Sequence, residues 1–149
     1  MFLDAQNLFS DAQAVTITAV STNVIDLSQD RNIGIGEPMA VLITIDVAAD
    51  VANADETYQF DLQTDATDAF GSPTVIASQA FTTAQATTDL LVGARVVLPV
   101  RKDLSAEEVL RLNYTTTGTT PSVTVTAALL PQSFIQAEAL YPTNIVVSV

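Results

Sequence analysis

The chain has no cysteine, no histidine and no tryptophan, and it carries only five basic residues in 149. Without cysteine there is no disulfide framework and no thiolate nucleophile. Without cysteine or histidine a zinc site of the usual kind is excluded. Without histidine there is no Ser-His-Asp triad and no imidazole base near neutrality. The shortage of cations excludes a further class. A protein that grips duplex DNA neutralises phosphates with clustered Lys and Arg. Here Arg31, Arg95, Arg101, Lys102 and Arg111 face 17 acidic residues, for a net charge of −12. Such a surface repels nucleic acid and anionic membrane. The longest unbroken apolar run is Met39 to Ile43, too short to span a bilayer. Met1-Phe2-Leu3-Asp4 has no basic n-region, so no Sec-type signal is visible.

What the chain does have is apolar bulk and β-formers. Hydrophobic residues make up 48% and charged residues 15%, too apolar for a disordered chain. A domain of this size buries about 68–70% of its unfolded surface. Thr occurs 20 times and Val 17 times, and both suit a pleated, half-buried surface. Alternation with period two recurs. It places Val15, Ile17 and Ala19 on one side, then Val41, Ile43, Ile45 and Val47, then Tyr58, Phe60 and Leu62. Leu110, Leu112 and Tyr114 follow, and then Val123, Val125, Ala127 and Leu129. Weaker strands are expected at 24–27, 75–82 and 94–100, with Pro99 at a strand end or edge because it lacks an N–H. Turn chemistry separates them at Ser28-Gln29-Asp30, Gly34-Ile35-Gly36, Gly71-Ser72-Pro73 and Gly118 to Pro121. Helix is scarce, with one capping-box pair at Ser105 and Glu108. The pattern predicts an all-β, jelly-roll-like two-sheet sandwich over residues 14–130, with extended arms at 1–13 and 131–149.

Both arms carry apolar residues among polar ones. Phe2, Leu3 and Phe9 mark the first; Phe134, Ile135, Leu140, Tyr141, Ile145 and Val147 mark the second. These nine are the candidate protein-interface residues. The uncharged end Ile145-Val146-Val147-Ser148-Val149 is an exposed-edge hazard unless paired. It either pairs inside its own sheet or adds a strand to a neighbouring subunit.

Other candidates have simpler explanations beside them. Residues 46–68 hold Asp46, Asp50, Asp55, Glu56, Asp61, Asp65 and Asp68. Converging oxygens from such a run are what calcium requires, yet the EF-hand loop with its central Gly is absent. Solvated surface is the expectation, with Asp46 and Asp61 pointing away from the apolar rows. A glycosidase pair drawn from these carboxylates lacks an aromatic platform, because Tyr58 and Tyr114 fall on predicted core faces. Gly34-Ile35-Gly36 is too short for a phosphate fingerprint and is expected to be a tight turn. Arg95, Arg101, Lys102 and Arg111 form a basic spot if their strands are neighbours, and scattered solvated charges otherwise.

Several segments in order resemble one known family. They are Ser10-Asp11-Ala12-Gln13 leading to Ser21-Thr22-Asn23-Val24-Ile25-Asp26-Leu27, and Arg31-Asn32-Ile33-Gly34-Ile35-Gly36-Glu37-Pro38. Then come Leu62-Gln63-Thr64-Asp65, Phe70-Gly71-Ser72-Pro73-Thr74 and Leu110-Arg111-Leu112-Asn113-Tyr114 before the Gly118 turn. Over roughly residues 8–130 the chain resembles the capsid cement, or decoration, proteins of tailed bacteriophages of the Bordetella-phage type. The resemblance implies a jelly roll on the outer surface of the virion, assembled in the host cytoplasm. Its partners would be the major capsid protein and copies of itself, as a dimer or trimer. It implies no catalytic residue, no cofactor and no metal. A phage fibre or receptor-binding jelly roll that recognises host glycan is the alternative, disfavoured by the 6% aromatic content. A small carboxylate hydrolase is the third.

Overall fold

A computed structural model describes residues 5–27, 38–100 and 109–135. Among the described residues, a short 3-10 turn at Ala5–Asn7 is followed by nine strands in chain order. They are β1 (Leu8–Val15), β2 (Ala19–Val20), β3 (Ile25–Asp26), β4 (Met39–Val47), β5 (Thr57–Asp65), β6 (Thr74–Phe81), β7 (Arg95–Pro99), β8 (Val109–Thr117) and β9 (Val123–Pro131). One helix, α1 (Thr83–Asp89), lies between β6 and β7.

The strands form two antiparallel sheets. The front sheet has the order β1-β9-β4-β7. The back sheet has the order β2-β8-β5-β6, with β3 also on β8. Taking β2 and β3 as one interrupted strand, the pairs close from the ends inward: first with last, second with second-last, β4 with β7, β5 with β6. That is a long hairpin rolled up, the jelly-roll arrangement of an all-β sandwich.

Alternation explains the core. Val41, Ile43 and Ile45 meet Tyr58, Phe60 and Leu62, and Leu110, Leu112 and Tyr114 meet Val123, Val125, Ala127 and Leu129. The Phe60 ring packs against Phe81 and, edge-on, against Tyr114, with both centroids at 5.7 Å. The Tyr114 hydroxyl stays satisfied by Ser10 Oγ at 2.8 Å. Burial pushes the Tyr114 phenol up, and the Ser10 bond opposes this.

Four sequence expectations need correction. The alternation over Val15, Ile17 and Ala19 is not one strand. Residues 16–18 bend, Ile17 is exposed, and the chain leaves the front sheet there to enter the back one. The segment 1–13 is not wholly an arm, because residues 8–13 already belong to β1. The sandwich therefore runs from Leu8 to Pro131. Val47 does not share the inner face of Ile45, since a register shift lies between them. Helix α1 was not anticipated. Thr82 and Gln85 form its reciprocal capping box, and it buries Ala86. Pro99 ends β7 on the edge of the front sheet, as expected. Ser28-Gln29-Asp30, Gly34-Ile35-Gly36, Ser105 and Glu108 lie outside the described residues.

Candidate functional site

The nine candidate interface residues divide three ways. Phe9 is fully buried in the inter-sheet core, so β1 holds it away from any partner. Its main-chain carbonyl is also occupied, by the Asn23 amide at 2.9 Å and the Thr22 hydroxyl at 3.1 Å. Phe134 stands exposed on the helical turn at 132–135. Ile135 is half-buried against Leu42, Ala128 and Leu130, on the outer face of the front sheet. The Gln132 amide bonds the Pro38 carbonyl at 2.8 Å, which fixes where this turn begins. Phe2, Leu3, Leu140, Tyr141, Ile145 and Val147 lie outside the described residues.

The acidic run does not converge on one point. Among the described residues no group of three or more His, Cys, Asp or Glu side chains is placed to hold a metal ion. The carboxylates are dispersed: Asp50, Glu56 and Asp65 close local turns, whereas Asp46, Asp55 and Asp61 bond residues distant in sequence. Asp46 accepts from Thr126 Oγ1 at 2.6 Å, and Asp50 accepts from the Ala52 amide at 2.9 Å. Asp65 receives the Ala66 and Ser72 amides at 2.7 and 2.9 Å. Asp55 receives the Thr119 amide and hydroxyl at 3.0 and 2.9 Å. Those two bonds hold the Asp55 carboxyl below the usual range. Asp65 is held down too, chiefly by the Ser72 amide.

Two of these acids are not on solvated surface. Glu56 is fully enclosed where the β4–β5 loop meets the β8–β9 turn. Burial pushes its carboxyl up, but the Asn53 side chain and the Asn53 and Asp55 amides outweigh it, and the net direction is down. Asn53 Nδ2 also donates to the Thr119 carbonyl at 2.9 Å, so one amide ties the two loops together. Gly118, at φ 101°, permits this contact. A Cβ there would fall 2.7 Å from the Asp55 carbonyl oxygen. Asp61 is 5% exposed on the outer face of the back sheet. It accepts from Gln59 Nε2 at 2.8 Å and from Ser78 Oγ at 2.5 Å.

Of the basic spot, Arg95 and Arg111 are described, and they do not come together. Arg95 lies on the outer face of the front sheet and Arg111 on that of the back sheet, so the sandwich separates them. Arg111 donates to Gln63 at 2.8 Å and stacks 4.2 Å from the Phe70 ring centroid. Arg101 and Lys102 lie outside the described residues. Tyr58 and Tyr114 are core residues, as alternation requires.

One surface feature escaped the sequence reading. Val47, Leu91 and Val92 are 56%, 52% and 69% exposed, and main-chain bonds bring their segments together. The Gly93 amide bonds the Ile45 carbonyl at 2.8 Å, and the Ala49 amide bonds the Leu90 carbonyl at 3.0 Å. Val47 is thereby flanked by the turn at 91–94. Two signals were present: an apolar pair in a turn ending in Gly93, and an uninterrupted alternation that hides a bulge.

The fold and its hydrogen-bonded rim define the class: an all-β jelly-roll sandwich with satisfied carboxylates at its loops. The sequence model of the Bbp16 family matches residues 9–129, and the chain belongs to that family. Its name points to a Bordetella phage protein. No curated protein matches the sequence.

Proposed function

We propose that the protein is a cement, or decoration, protein of a phage head, bound to the outer surface of the capsid and bridging major capsid protein subunits. One observation carries the reading. A phage-protein family matches almost the whole of a jelly roll in which Asp50, Asp55 and Asp65 are engaged in holding loops. The net charge of −12 suits an outer position, away from packaged DNA.

The mechanism is mechanical. Packed DNA presses outward, and capsomers separate at their seams. A clamp that touches two subunits adds interface free energy that must be lost before the seam opens. Each contact can be weak, because linking two on one oligomer raises avidity by about 10²–10⁴. Self-association as a dimer or trimer supplies the linkage, and residues 132–149 are the bridging segment.

Co-sedimentation with undecorated capsids tests this. Saturable binding at a fixed ratio to the capsid protein is the expected result. Removal of residues 132–149 should weaken attachment or oligomerisation while the thermal melt of the sandwich persists. A folded, full-length protein that ignores capsids would turn the assignment to a fibre or receptor module, and a glycan array would follow.

A further inference from the structure

Val47, Leu91 and Val92 are exposed where the end of β4 meets the α1–β7 turn. The Ala94 amide closes the turn onto the Leu91 carbonyl at 2.9 Å, and Gly93 at φ 81° takes its third position. Polar residues ordinarily fill such a tip, yet here two large aliphatic side chains stand in solvent. The bulge after Ile45 turns a third, Val47, outward beside them, level with Thr124 of β9. Scattered apolar residues on a surface need no explanation, but a contiguous group at a turn tip points to contact with another molecule.

The surroundings narrow the partner. Asp46 adjoins Val47, Asp50 follows the Ala49 anchor, and Asp89 precedes the turn at the end of α1. Arg95 lies one rung away, opposite Thr44. A second copy docked symmetrically here would bring three carboxylates against their own kind, on a chain already at −12. A partner with an apolar centre and flanking Lys or Arg meets the same rim favourably.

We propose that Val47, Leu91 and Val92 form the surface that docks onto the capsid shell, against an apolar segment of the capsid protein flanked by basic residues. This rests on the cement reading. It assigns the capsid-facing side of the sandwich to the β4 end and the α1–β7 turn, away from Phe134 and Ile135. Attachment and self-association then use different parts of the molecule.

The test is the V47S/L91S/V92S triple variant in the co-sedimentation assay, with I17S/V24S as a control for loss of exposed apolar surface elsewhere. All five positions are exposed, so both variants should melt like the parent. The expected result is at least about tenfold weaker capsid binding by the triple variant, against less than about twofold for the control. Parent binding should also weaken as salt rises, because the rim is acidic. Triple-variant binding within about twofold of the parent would overturn the docking surface while leaving the cement reading in place. An oligomeric parent and a monomeric triple variant would make the patch a self-interface and overturn the proposed partner. Salt-insensitive binding would remove the basic rim. A parent that fails to bind capsids would end the cement reading, and this partner with it.

Discussion

The outer faces of the two sheets solve the same problem in opposite ways. On the back sheet the outward rows of β5 and β8 are polar and bond one another. Thr57 meets Thr117 at 2.6 Å, Gln59 donates to Asp61, Arg111 donates to Gln63, and Asn113 donates to Thr115 at 3.1 Å. The front sheet presents Leu42, Ala128 and Leu130 outward, and these need a cover. Leu8 and Ile135 supply it from the two ends of the sandwich segment. The polar face closes mainly through its own rungs, with only Phe70 of the β5–β6 loop stacked on Arg111. An apolar face recruits chain from outside the sheet, and it is at this face that residues 132–135 leave the domain.

The largest expected effect breaks the front face. Leu42→Ala removes a side chain packed against Ala128, Leu130, Leu8 and Ile135, and should lower unfolding stability by about 2–4 kcal/mol in urea titration. Next comes the back face. Asp61→Ala removes the shared acceptor of Gln59 and Ser78, but both donors can turn to water at the sheet surface. A loss of about 1–2 kcal/mol is expected. Equal losses at the two sites would erase the distinction between a covered face and a self-completing one.

The inner faces of both sheets were legible in the sequence; the outer faces and the ends were not. Inner rows alternate cleanly in β4, β5, β8 and β9, because each strand buries one side fully. Strand β1 hides because register shifts after Leu8 and Ser10, and Ala12 at φ 45°, break its period. The same irregularity made Phe9 look like part of an arm. The stretch from Val15 to Ala19 erred the other way: its alternation runs through a corner between sheets, and local pattern carries no record of where a chain changes layer. Glu56 is buried only because Gly118 lets a distant turn close over it, a contact between residues about sixty positions apart in sequence. Helix α1 was findable from Thr82 and Gln85, but Thr-rich composition argued for strand.

Acid separates the rim from both faces. Asp55, Glu56 and Asp65 are held below their ordinary values of 3.8, 4.5 and 3.8. A lowered folded-state pKa means the charged form is favoured on folding. The resulting stability is fully present above the unfolded values and is lost as pH falls through the folded ones. Melting temperature should therefore hold steady with respect to these groups above about pH 5 and fall below about pH 4. Asp55→Asn, which keeps the shape but not the charge, should flatten part of that fall. An unchanged acid limb in D55N would mean that the Thr119 clamp contributes nothing.

The smallest effect runs the other way and probes the space between the faces. Thr64 sits on the inner side of β5, fully buried, and its Oγ1 has no hydrogen-bond partner among the described residues. Its register neighbours are Leu110 on β8 and Thr74 on β6. The polar ladder on the back sheet works because each group faces a partner in the same plane. Thr64 points the other way, into a layer that satisfies few polar atoms. An unsatisfied buried hydroxyl costs about 1–3 kcal/mol. Val keeps the branched shape and removes the hydroxyl, so Thr64→Val should raise stability by about 1 kcal/mol. The same exchange at Thr115, whose hydroxyl accepts from Asn113 on the outer face, should lower it slightly. Opposite signs for one chemical change on two sides of one sheet would locate the boundary between the core and the self-completing polar face; a loss at Thr64 would place a partner for its hydroxyl inside the sandwich.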